Sequence, residues 1–365
     1  MSYVATGLSH GVRADPLHAT HAVQQALARA ELDRANAVLL FLTHEYADDP
    51  EPTLRAAARA AGSMQVIGCT GTGVLTEDEW LLDSPGAAAM VLGGSMQLDL
   101  SGNHMDDTEA LLSLCTPAGL DSDWLDIPAK RIGAISGDPF GHGPFKVWSG
   151  SRVADSGRVE AHISRWRTGI SVSQGVRALT APIKVAEVEG HDLMRLGNYP
   201  ALNVLVRSLP LTLREQQRIP LHLLMGGVTF GDPDTAIGDG RFRLNHIVSA
   251  NLNKQSITLA DQLQPGESLF WAMRDTLAAE REMKQTVRYA GERLGASPDF
   301  ALLFPCMGRG PHFYGNRDRD LEILRAAYPG LPIIGFYGNG EIGPLETDNH
   351  LFQYSTVLGL FRAQR

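Results

Sequence analysis

The chain has few cysteines, and their spacing in the sequence does not suit a disulfide framework or a metal site. Cys69, Cys115 and Cys306 are the three cysteines among 365 residues, and none lies at the short spacing from another that paired metal ligands require. A disulfide-stabilised secreted domain is therefore excluded, and a reducing cytoplasm is the expected compartment.

Long apolar runs and a leader sequence are also missing. No apolar stretch approaches the length that a membrane-spanning helix needs. The first residues, MSYVATGLSHGVRADP, do not place an apolar segment after a basic one. We therefore expect neither a membrane protein nor a secreted one.

Clusters of positive charge are absent as well. The chain carries 32 basic and 41 acidic residues, for a formal net charge of −9, and no block of Lys and Arg stands out. Since nucleic-acid binding depends on basic patches, nucleic acid is not an expected partner. A small molecule is the expected ligand, and the sequence does not indicate an oligomeric state.

Several signatures of catalysis and cofactor binding do not occur. The sequence has no H-E-x-x-H, C-x-x-C-H, P-loop or G-x-S-x-G motif. No metal site or cofactor is predicted. Haem stays open as an alternative, because it needs only one axial histidine, and His142, His246 and His312 are candidates for that role.

What the sequence does contain is a mixture of buried-strand and helical patterns. Continuous apolar runs such as AVLLFLT (37–43) and FALLFPC (300–306) predict strands covered on both faces. A helical pattern over 275–294 precedes the second of these runs. The prediction is an α+β (mixed α/β) protein of two domains, with mixed sheets flanked by helices.

Two distant parts of the chain resemble each other. The series VLLFLT, helix, QVIGCTGTGVL, AMVLGG recurs as ALLFPC, helix, PIIGFYGNGEI, TVLGLF. In this alignment Leu39-Leu40-Phe41 correspond to Leu302-Leu303-Phe304, Gly68 to Gly335, and Val91-Leu92-Gly93 to Val357-Leu358-Gly359. The shared G-x-x-G-x-G spacing favours an internal duplication. Two related halves predict a ligand cleft between or beside them.

The differences between the halves indicate where a site lies. Where the first half has Thr43, Tyr46, Thr72 and Val74, the second has Cys306, Arg309, Asn339 and Glu341. The second half has thus gained a thiol, a guanidinium and a carboxylate at strand ends, in glycine-rich loops that expose backbone N–H groups. The predicted ligand-binding residues are Cys306, Gly308, Arg309, Gly310, His312, Asn339, Gly340, Glu341, Thr70 and Thr72.

Arg309 and Glu341 have two interpretations. Arg309 could hold an anionic group by two parallel hydrogen bonds while Glu341 receives an amine, an arrangement complementary to a zwitterion such as an amino acid. Alternatively the two side chains pair with each other and fix their loops. Cys306 could be a nucleophile coupled to His312, or a buried thiol at a strand end.

Several of these segments resemble the FIST family, a two-part sensory domain. The N-terminal similarity rests on VIGCTGTGVL and on VSQGVRALTAPIKVAEVEGHDLMRLGNYPAL (172–202). The C-terminal similarity rests on RFRLNHIVSANLNKQSITLADQLQPGESLFWAMRD, CMGRGPHFYGN and GFYGNGEIGP, in that order. The resemblance implies a FIST N-like region over 1–200 and a FIST C-like region over 201–365. The chain departs from the family at TAPIK (180–184), where many members have a longer Gly-Pro-containing stretch.

The resemblance implies a sensory module rather than a catalyst. It suggests a stand-alone cytoplasmic protein that binds a small polar, amino-acid-like metabolite and signals to a partner protein. Some relatives are nitric-oxide-sensing haem proteins, and eukaryotic relatives occur in F-box proteins, so haem-based sensing is the alternative. An enzyme using Cys306 is the third interpretation.

Overall fold

The structure is a computed structural model that describes residues 3–94, 96, 98–99, 110–163, 166–215, 219–345 and 348–364. Up to Ser173 the described strands are β1 (Val4–His10), β2 (Ala37–Thr43), β3 (Val66–Gly71), β4 (Gly73–Thr76), β5 (Trp80–Leu81), β6 (Gly86–Leu92), β7 (Ala110–Cys115), β8 (Lys130–Ile135), β9 (Val147–Ser149), β10 (Arg152–Val153), β11 (Arg158–Ile163) and β12 (Trp166–Ser173).

The later described strands are β13 (Val176–Ala178), β14 (Ile183–Glu189), β15 (Asp192–Leu196), β16 (Tyr199–Pro200), β17 (Leu224–Thr229), β18 (Phe242–Asn251), β19 (Ser256–Leu259), β20 (Ser268–Arg274), β21 (Phe300–Pro305), β22 (Ile333–Tyr337), β23 (Glu341–Leu345), β24 (Asp348–Phe352) and β25 (Thr356–Ala363). The described α-helices are α1 (Pro16–Ala30), α2 (Glu51–Ala61), α3 (Ser122–Asp126), α4 (Ala201–Ser208), α5 (Leu211–Arg214), α6 (Pro233–Asp239), α7 (Thr276–Leu294) and α8 (Arg319–Ala327). Among these helices, none has both the length and the apolar composition needed to cross a bilayer.

Local sequence signals start and stop the helices. Asp15 caps α1 by accepting a hydrogen bond from the Leu17 backbone N–H, and a proline occupies the first helical position. Asp318 caps α8 in the same way through Leu321 N. Helix α2 ends at Gly62, whose φ of 65° is readily adopted by glycine.

The chain forms two compact units. The first comprises Met1–Ser173 and Met283–Arg365, and the second comprises Gln174–Glu282. In sequence, the second unit is therefore an insertion into the first, and it takes residues from both sides of position 200. We call them the three-sheet unit and the barrel unit.

The three-sheet unit repeats a five-strand order three times, and the first and third sheets carry one further strand, β1 or β12. Its sheets run β1-β6-β2-β3-β9-β10, β11-β7-β8-β23-β24 and β12-β25-β21-β22-β4-β5. Each contains a parallel pair, namely β2 with β3, β7 with β8, and β21 with β22. An antiparallel strand flanks each pair on both sides. The helix joining the two parallel strands is α2, α3 or α8, so the motif occurs three times.

Each repeat contributes a strand to another sheet. After the parallel pair, β4 of the first repeat joins the third sheet, β23 of the third repeat joins the second sheet, and β9 of the second repeat joins the first sheet. This cyclic exchange brings the loops that follow β3, β8 and β22 to the junctions between sheets.

One glycine in each repeat lets the parallel strands approach closely. Gly68, Gly133 and Gly335 lie opposite Leu40, Ser113 and Leu303, respectively. A Cβ at each of the three positions would lie 1.7 Å from the carbonyl oxygen of that partner. The identical steric requirement at identical register establishes the correspondence between the three repeats.

The core of the three-sheet unit is where the inner faces of the sheets meet. It combines Phe41, Leu112 and Phe304 with other apolar side chains from all three sheets. The outer faces of the first and third sheets pack against α1 and α2, and against α7 and α8, respectively. Strands buried on both faces explain why their sequences are continuously apolar.

The barrel unit is a closed antiparallel barrel. Strands β20, β14, β15, β19, β18 and β17 pair in that order, and β17 pairs back to β20. Its interior packs Leu193, Leu224 and Trp271 against the apolar face of α4, which carries Leu202 and Leu205.

The predicted mixed α/β fold is confirmed, and the two related segments are two of three repeats in the three-sheet unit. The sequence comparison missed the second repeat, because Ser136 and Asp138 replace two of the loop glycines there. The third aligned block was shifted by three residues, since pairing places Leu358 opposite Leu303 and Ala89 opposite Leu40. Apolar strands of similar sequence can be aligned at several offsets, whereas hydrogen-bond register allows a single alignment.

Candidate functional site

A thiol, a carboxyl group and a hydroxyl group meet at the ends of strands of the third repeat. Cys306 follows β21, Glu341 begins β23, and Ser355 immediately precedes β25. The Ser355 hydroxyl donates to Glu341 Oε2 over 2.7 Å, and the Cys306 backbone N–H donates to the Ser355 carbonyl over 2.8 Å. We call these three residues the thiol–carboxyl cluster.

Burial determines the protonation of this cluster. Glu341 is fully buried, and its Oε1 atom has no hydrogen-bond partner in the described part of the chain. Burial raises the pKa of Glu341 well above its ordinary value, although Ser355, Cys306 and Arg309 act in the opposite direction. Burial, followed by the neighbouring Glu341, raises the pKa of Cys306. Burial therefore favours the neutral carboxyl group of Glu341 and the neutral thiol of Cys306 over their charged forms.

A tyrosine covers the loop next to the cluster. Gly308 packs so closely on Tyr354 that a Cβ at this position would lie 2.4 Å from the tyrosine ring. Tyr354 itself has a φ of 55°, an uncommon value for a residue with a side chain. The glycine in this loop is thus required by the tyrosine ring, and no ligand is needed to explain it.

The loops that follow β3, β8 and β22 meet at a second group of polar residues. A Cβ placed on Gly137 would lie 3.1 Å from the Asn339 Cβ and 3.2 Å from the Thr72 Oγ1 atom. Asn339 is exposed, whereas Thr72 is buried and its hydroxyl has no hydrogen-bond partner within the described residues. One residue from each repeat contributes to this junction. It brings together two predicted site residues, Thr72 and Asn339.

Thr70 has a structural role in the described contacts. Its hydroxyl lies 2.9 Å from the Ser136 hydroxyl and accepts a hydrogen bond from the Lys146 backbone N–H over 3.1 Å. Its backbone N–H donates to the Lys146 carbonyl over 2.9 Å. Thr70 therefore fixes both ends of the loop between β8 and β9.

Arg309 is the centre of a buried ion pair. It is 2% exposed and donates to both oxygens of Asp320, over 2.9 and 3.1 Å. It also donates to the Ser173 carbonyl and hydroxyl, over 2.8 and 2.7 Å. Tyr314 and Thr356 complete the coordination of Asp320. All three guanidinium nitrogens are thus engaged, and the carboxylate in this ion pair belongs to Asp320, not to Glu341 as in the alternative pairing considered above.

The remaining predicted residues are spread around these groups. His312 is exposed and its Nδ1 lies 3.3 Å from Asn316 Oδ1. A Cβ on Gly310 would lie 3.1 Å from the Tyr337 ring. Gly340 has a φ of 148°, a value that favours glycine, and its carbonyl accepts from the Ile135 backbone N–H over 2.8 Å.

The three repeats carry different residues at the positions of the thiol–carboxyl cluster. In each repeat the same position of the exchanged strand can be identified from its pairing partner. Glu341 pairs with Ala134, Val74 with Phe336, and Val147 with Cys69. Glu341, Val74 and Val147 are therefore equivalent. By the same register, Cys306 corresponds to Thr43 and Thr116, and Ser355 to Gly86 and Gly157. Valine satisfies the fold at the carboxyl position in two repeats, so folding alone does not require Glu341.

Sequence reasoning missed Ser355, Tyr354, Asp320 and Ser173. No motif marks them, and Ser173 lies 136 residues from Arg309. Alignment of the three repeats would have identified Ser355, because it replaces a glycine of the other two repeats. Within the described residues, no group of three His, Cys, Asp or Glu side chains is placed to hold a metal ion.

Comparison with known proteins supports the family resemblance found in the sequence. An uncharacterised protein of Mycobacterium tuberculosis is 26% identical over 359 residues, covering 92% of this chain and 93% of the relative. A second one from the same species is 25% identical over 361 residues, covering 92% and 94%. F-box only protein 22 of Homo sapiens is 38% identical over 68 residues, 16% of each chain. Residues 36–198 match the FIST N domain and residues 201–344 match the FIST C domain. The chain belongs to the FIST family.

Proposed function

We propose that the protein is a cytoplasmic sensory protein that binds a small polar, amino-acid-like metabolite at the thiol–carboxyl cluster and signals to a partner protein. The observation that supports this most strongly is the buried carboxyl group of Glu341, with one oxygen unpartnered in the described part of the chain. A buried polar group without a partner costs free energy. The first and second repeats avoid this cost because they have valine at the equivalent position. We infer that the carboxyl group of Glu341 serves ligand binding.

The chemistry of the cluster suits a ligand that carries an amine. In the unliganded protein burial disfavours the charged form of Glu341 and raises its pKa. An ammonium group beside Oε1 favours the ionised carboxylate, which then releases its proton to solvent. Binding of an ammonium ligand is therefore expected to strengthen as pH rises towards the pKa of Glu341.

The second group of the ligand is assigned to the exposed side of the site. Asn339 lies two residues from Glu341 and is exposed. Arg309 supports the site indirectly, because Asp320 and Ser173 already occupy its guanidinium. In this proposal Arg309 holds the loop over 306–316 in place, and the ligand contacts are Glu341, Asn339 and Thr72.

The variant Glu341→Val tests this assignment with the residue that two repeats already use. We expect it to fold, since two repeats have valine at this position; the gain from removing a buried carboxyl group is offset by the Ser355 hydroxyl, which loses its acceptor. Thermal unfolding against a panel of amino acids and related amines should show a ligand that raises the wild-type melting temperature and leaves that of Glu341→Val unchanged. Glu187→Val, which removes an exposed strand carboxylate, serves as the control and should keep the shift.

Three results would contradict the proposal. The first is a panel in which no amine stabilises the wild type, and the second is an equal shift in wild type and Glu341→Val. The third is a Soret absorption band in the purified protein, which would favour haem-based sensing instead. An activity lost on alkylation of Cys306 would favour the enzymatic alternative.

A further inference from the structure

The barrel unit contains a cavity, which no sequence motif indicated. It has a volume of about 530 Å³, within the range of sites for small organic ligands. Its walls are formed by the segment before β14, the turn between β15 and β16, and helix α4. The lining residues are Leu179, Thr180, Ile183, Leu196, Gly197, Asn198, Tyr199, Asn203, Val204, Arg207 and Ser208.

Helix α4 divides its side chains between the barrel core and this cavity. Leu202 and Leu205 are buried in the core. Asn203 and Arg207, four residues apart, lie on a common helical face that lines the cavity. Four residues of helix rise by about 6 Å, so the two polar groups are about one helical turn apart along the cavity wall.

The polar groups in the cavity differ in chemistry. Asn203 lines the cavity, and its buried Oδ1 atom has no hydrogen-bond partner within the described residues. Arg207 is exposed, and its guanidinium carbon lies 5.8 Å from the centre of the Tyr199 ring. One end of the cavity wall therefore carries an acceptor that lacks a donor, and the other carries a cation beside an aromatic ring.

We propose that this cavity binds a small carboxylic acid with an apolar body and a hydrogen-bond donor. The carboxylate pairs with Arg207, the donor meets Asn203 Oδ1, and the apolar body lies against Leu179, Ile183 and Val204. Arginine binds carboxylates through charge-assisted hydrogen bonds, and an unpartnered buried acceptor selects ligands that supply a donor. The site shares no residue with the thiol–carboxyl cluster, so either proposal can fail alone.

Indole-3-acetate is a suitable probe, because it combines an apolar ring, an N–H donor and a carboxylate. Two analogues each lack one group: indole-3-acetamide has no charge, and 1-methylindole-3-acetate has no donor. By isothermal titration calorimetry with the full-length protein, we expect each analogue to bind about tenfold more weakly than indole-3-acetate, the loss that one such contact typically causes.

Variants should reproduce these contrasts. Arg207→Gln should weaken indole-3-acetate about tenfold and leave indole-3-acetamide unchanged. Asn203→Leu should weaken indole-3-acetate and leave 1-methylindole-3-acetate unchanged. Val204→Trp, which fills the cavity, should abolish binding of all three. Lys254→Gln removes an exposed cation of the same unit that does not line the cavity, and it should bind like the wild type.

The proposal is overturned if indole-3-acetate does not bind at millimolar concentration, or if the three probes bind equally to the wild type. It is also overturned if Val204→Trp leaves the affinity unchanged, since the probe would then occupy another site. The comparison of the three probes uses the wild-type protein alone, so it decides the question even if a variant does not fold.

Discussion

At the scale of single residues, Arg309 and Glu341 are both buried near the glycine-rich loops, but they differ in how completely their polar atoms are hydrogen-bonded. The Arg309 charge is matched by Asp320 and further satisfied by Ser173, whereas the Glu341 carboxyl group is left with an unpartnered oxygen within the described chain. A fully satisfied ion pair has a structural explanation, while an unsatisfied carboxyl group does not. Of the two predicted ligand contacts, this contrast favours Glu341 over Arg309.

Arg309→Ala is expected to destabilise the protein by about 3–5 kcal/mol, because it leaves Asp320 buried without its cation. The free energy of unfolding, measured in urea, checks this. Arg317→Ala is the matched control in the same connection between β21 and α8. The Arg317 side chain is 62% exposed in its ion pair with Glu322, and such pairs contribute about 0–1 kcal/mol. Equal effects of the two substitutions would show that Arg309 is not the centre of a buried network.

Asp318 makes stability depend on pH. Burial, and then the neighbouring Asp320, raises the pKa of Asp318 from 3.8 to about 6, while Leu321 and Tyr337 act in the opposite direction. The folded state thus binds this proton more tightly than the unfolded state. The resulting stabilisation is present below about pH 4 and is lost as pH rises through about 6; its magnitude is about 3 kcal/mol.

Asp318→Asn should remove this dependence while retaining a residue that caps helices well. The variant should therefore gain stability relative to the wild type between pH 4 and pH 8. Urea unfolding at both pH values measures the difference. A constant difference between the two proteins would mean that the carboxyl group of Asp318 has an ordinary pKa.

At the scale of elements, close pairing of parallel strands depends on one glycine per repeat. Continuous apolar runs predicted β2 and β21 correctly, since both are buried throughout. The glycines were recognised as shared between two segments of the chain. Their common steric role became visible only with the strand register, because it depends on a carbonyl of the neighbouring strand.

Alanine at Gly68, Gly133 or Gly335 should destabilise the protein by about 3 kcal/mol or more, since a Cβ would overlap a backbone oxygen that can move only with its strand. Gly238→Ala is the control, because a Cβ there meets nothing within 4 Å and alanine is the better helix former. Thermal unfolding of the four variants tests this. A small effect at any one of the three positions would show that close strand pairing in that repeat does not depend on glycine.

At the scale of the whole molecule, the chain combines a threefold-repeated unit with an inserted barrel. The insertion lies between β12 and the later part of α7, where the first repeat connects β1 to α1 directly through Gly11–Asp15. Because the barrel has its own apolar interior and a closed ring of strands, we expect it to be an independent folding unit.

A fragment comprising residues 174–282 should therefore fold alone and show a cooperative thermal transition by circular dichroism. The complementary variant replaces 174–282 with the five residues that connect β1 to α1, GVRAD, and it should retain the three-sheet unit. A fragment that remains unfolded, with no cooperative transition, would show that the barrel depends on the rest of the chain.

The sequence by itself determined the secondary structure of the buried strands, the duplication and the family, because periodicity, glycine spacing and motifs are local properties of a chain. It also placed Glu341 at a position where an earlier segment has Val74, which is the basis of the candidate site. These inferences needed no knowledge of which strands are neighbours.

Only the tertiary structure decided which groups meet. The second repeat became recognisable through hydrogen-bond register, since its loop had lost two of the glycines. The partners of Arg309, the protonation of Glu341 and the cavity beside α4 depend on residues that strand order brings together from distant segments. Burial and pairing set the pKa of a group and the availability of its hydrogen bonds, and both are properties of the folded neighbourhood, which the residue type does not specify.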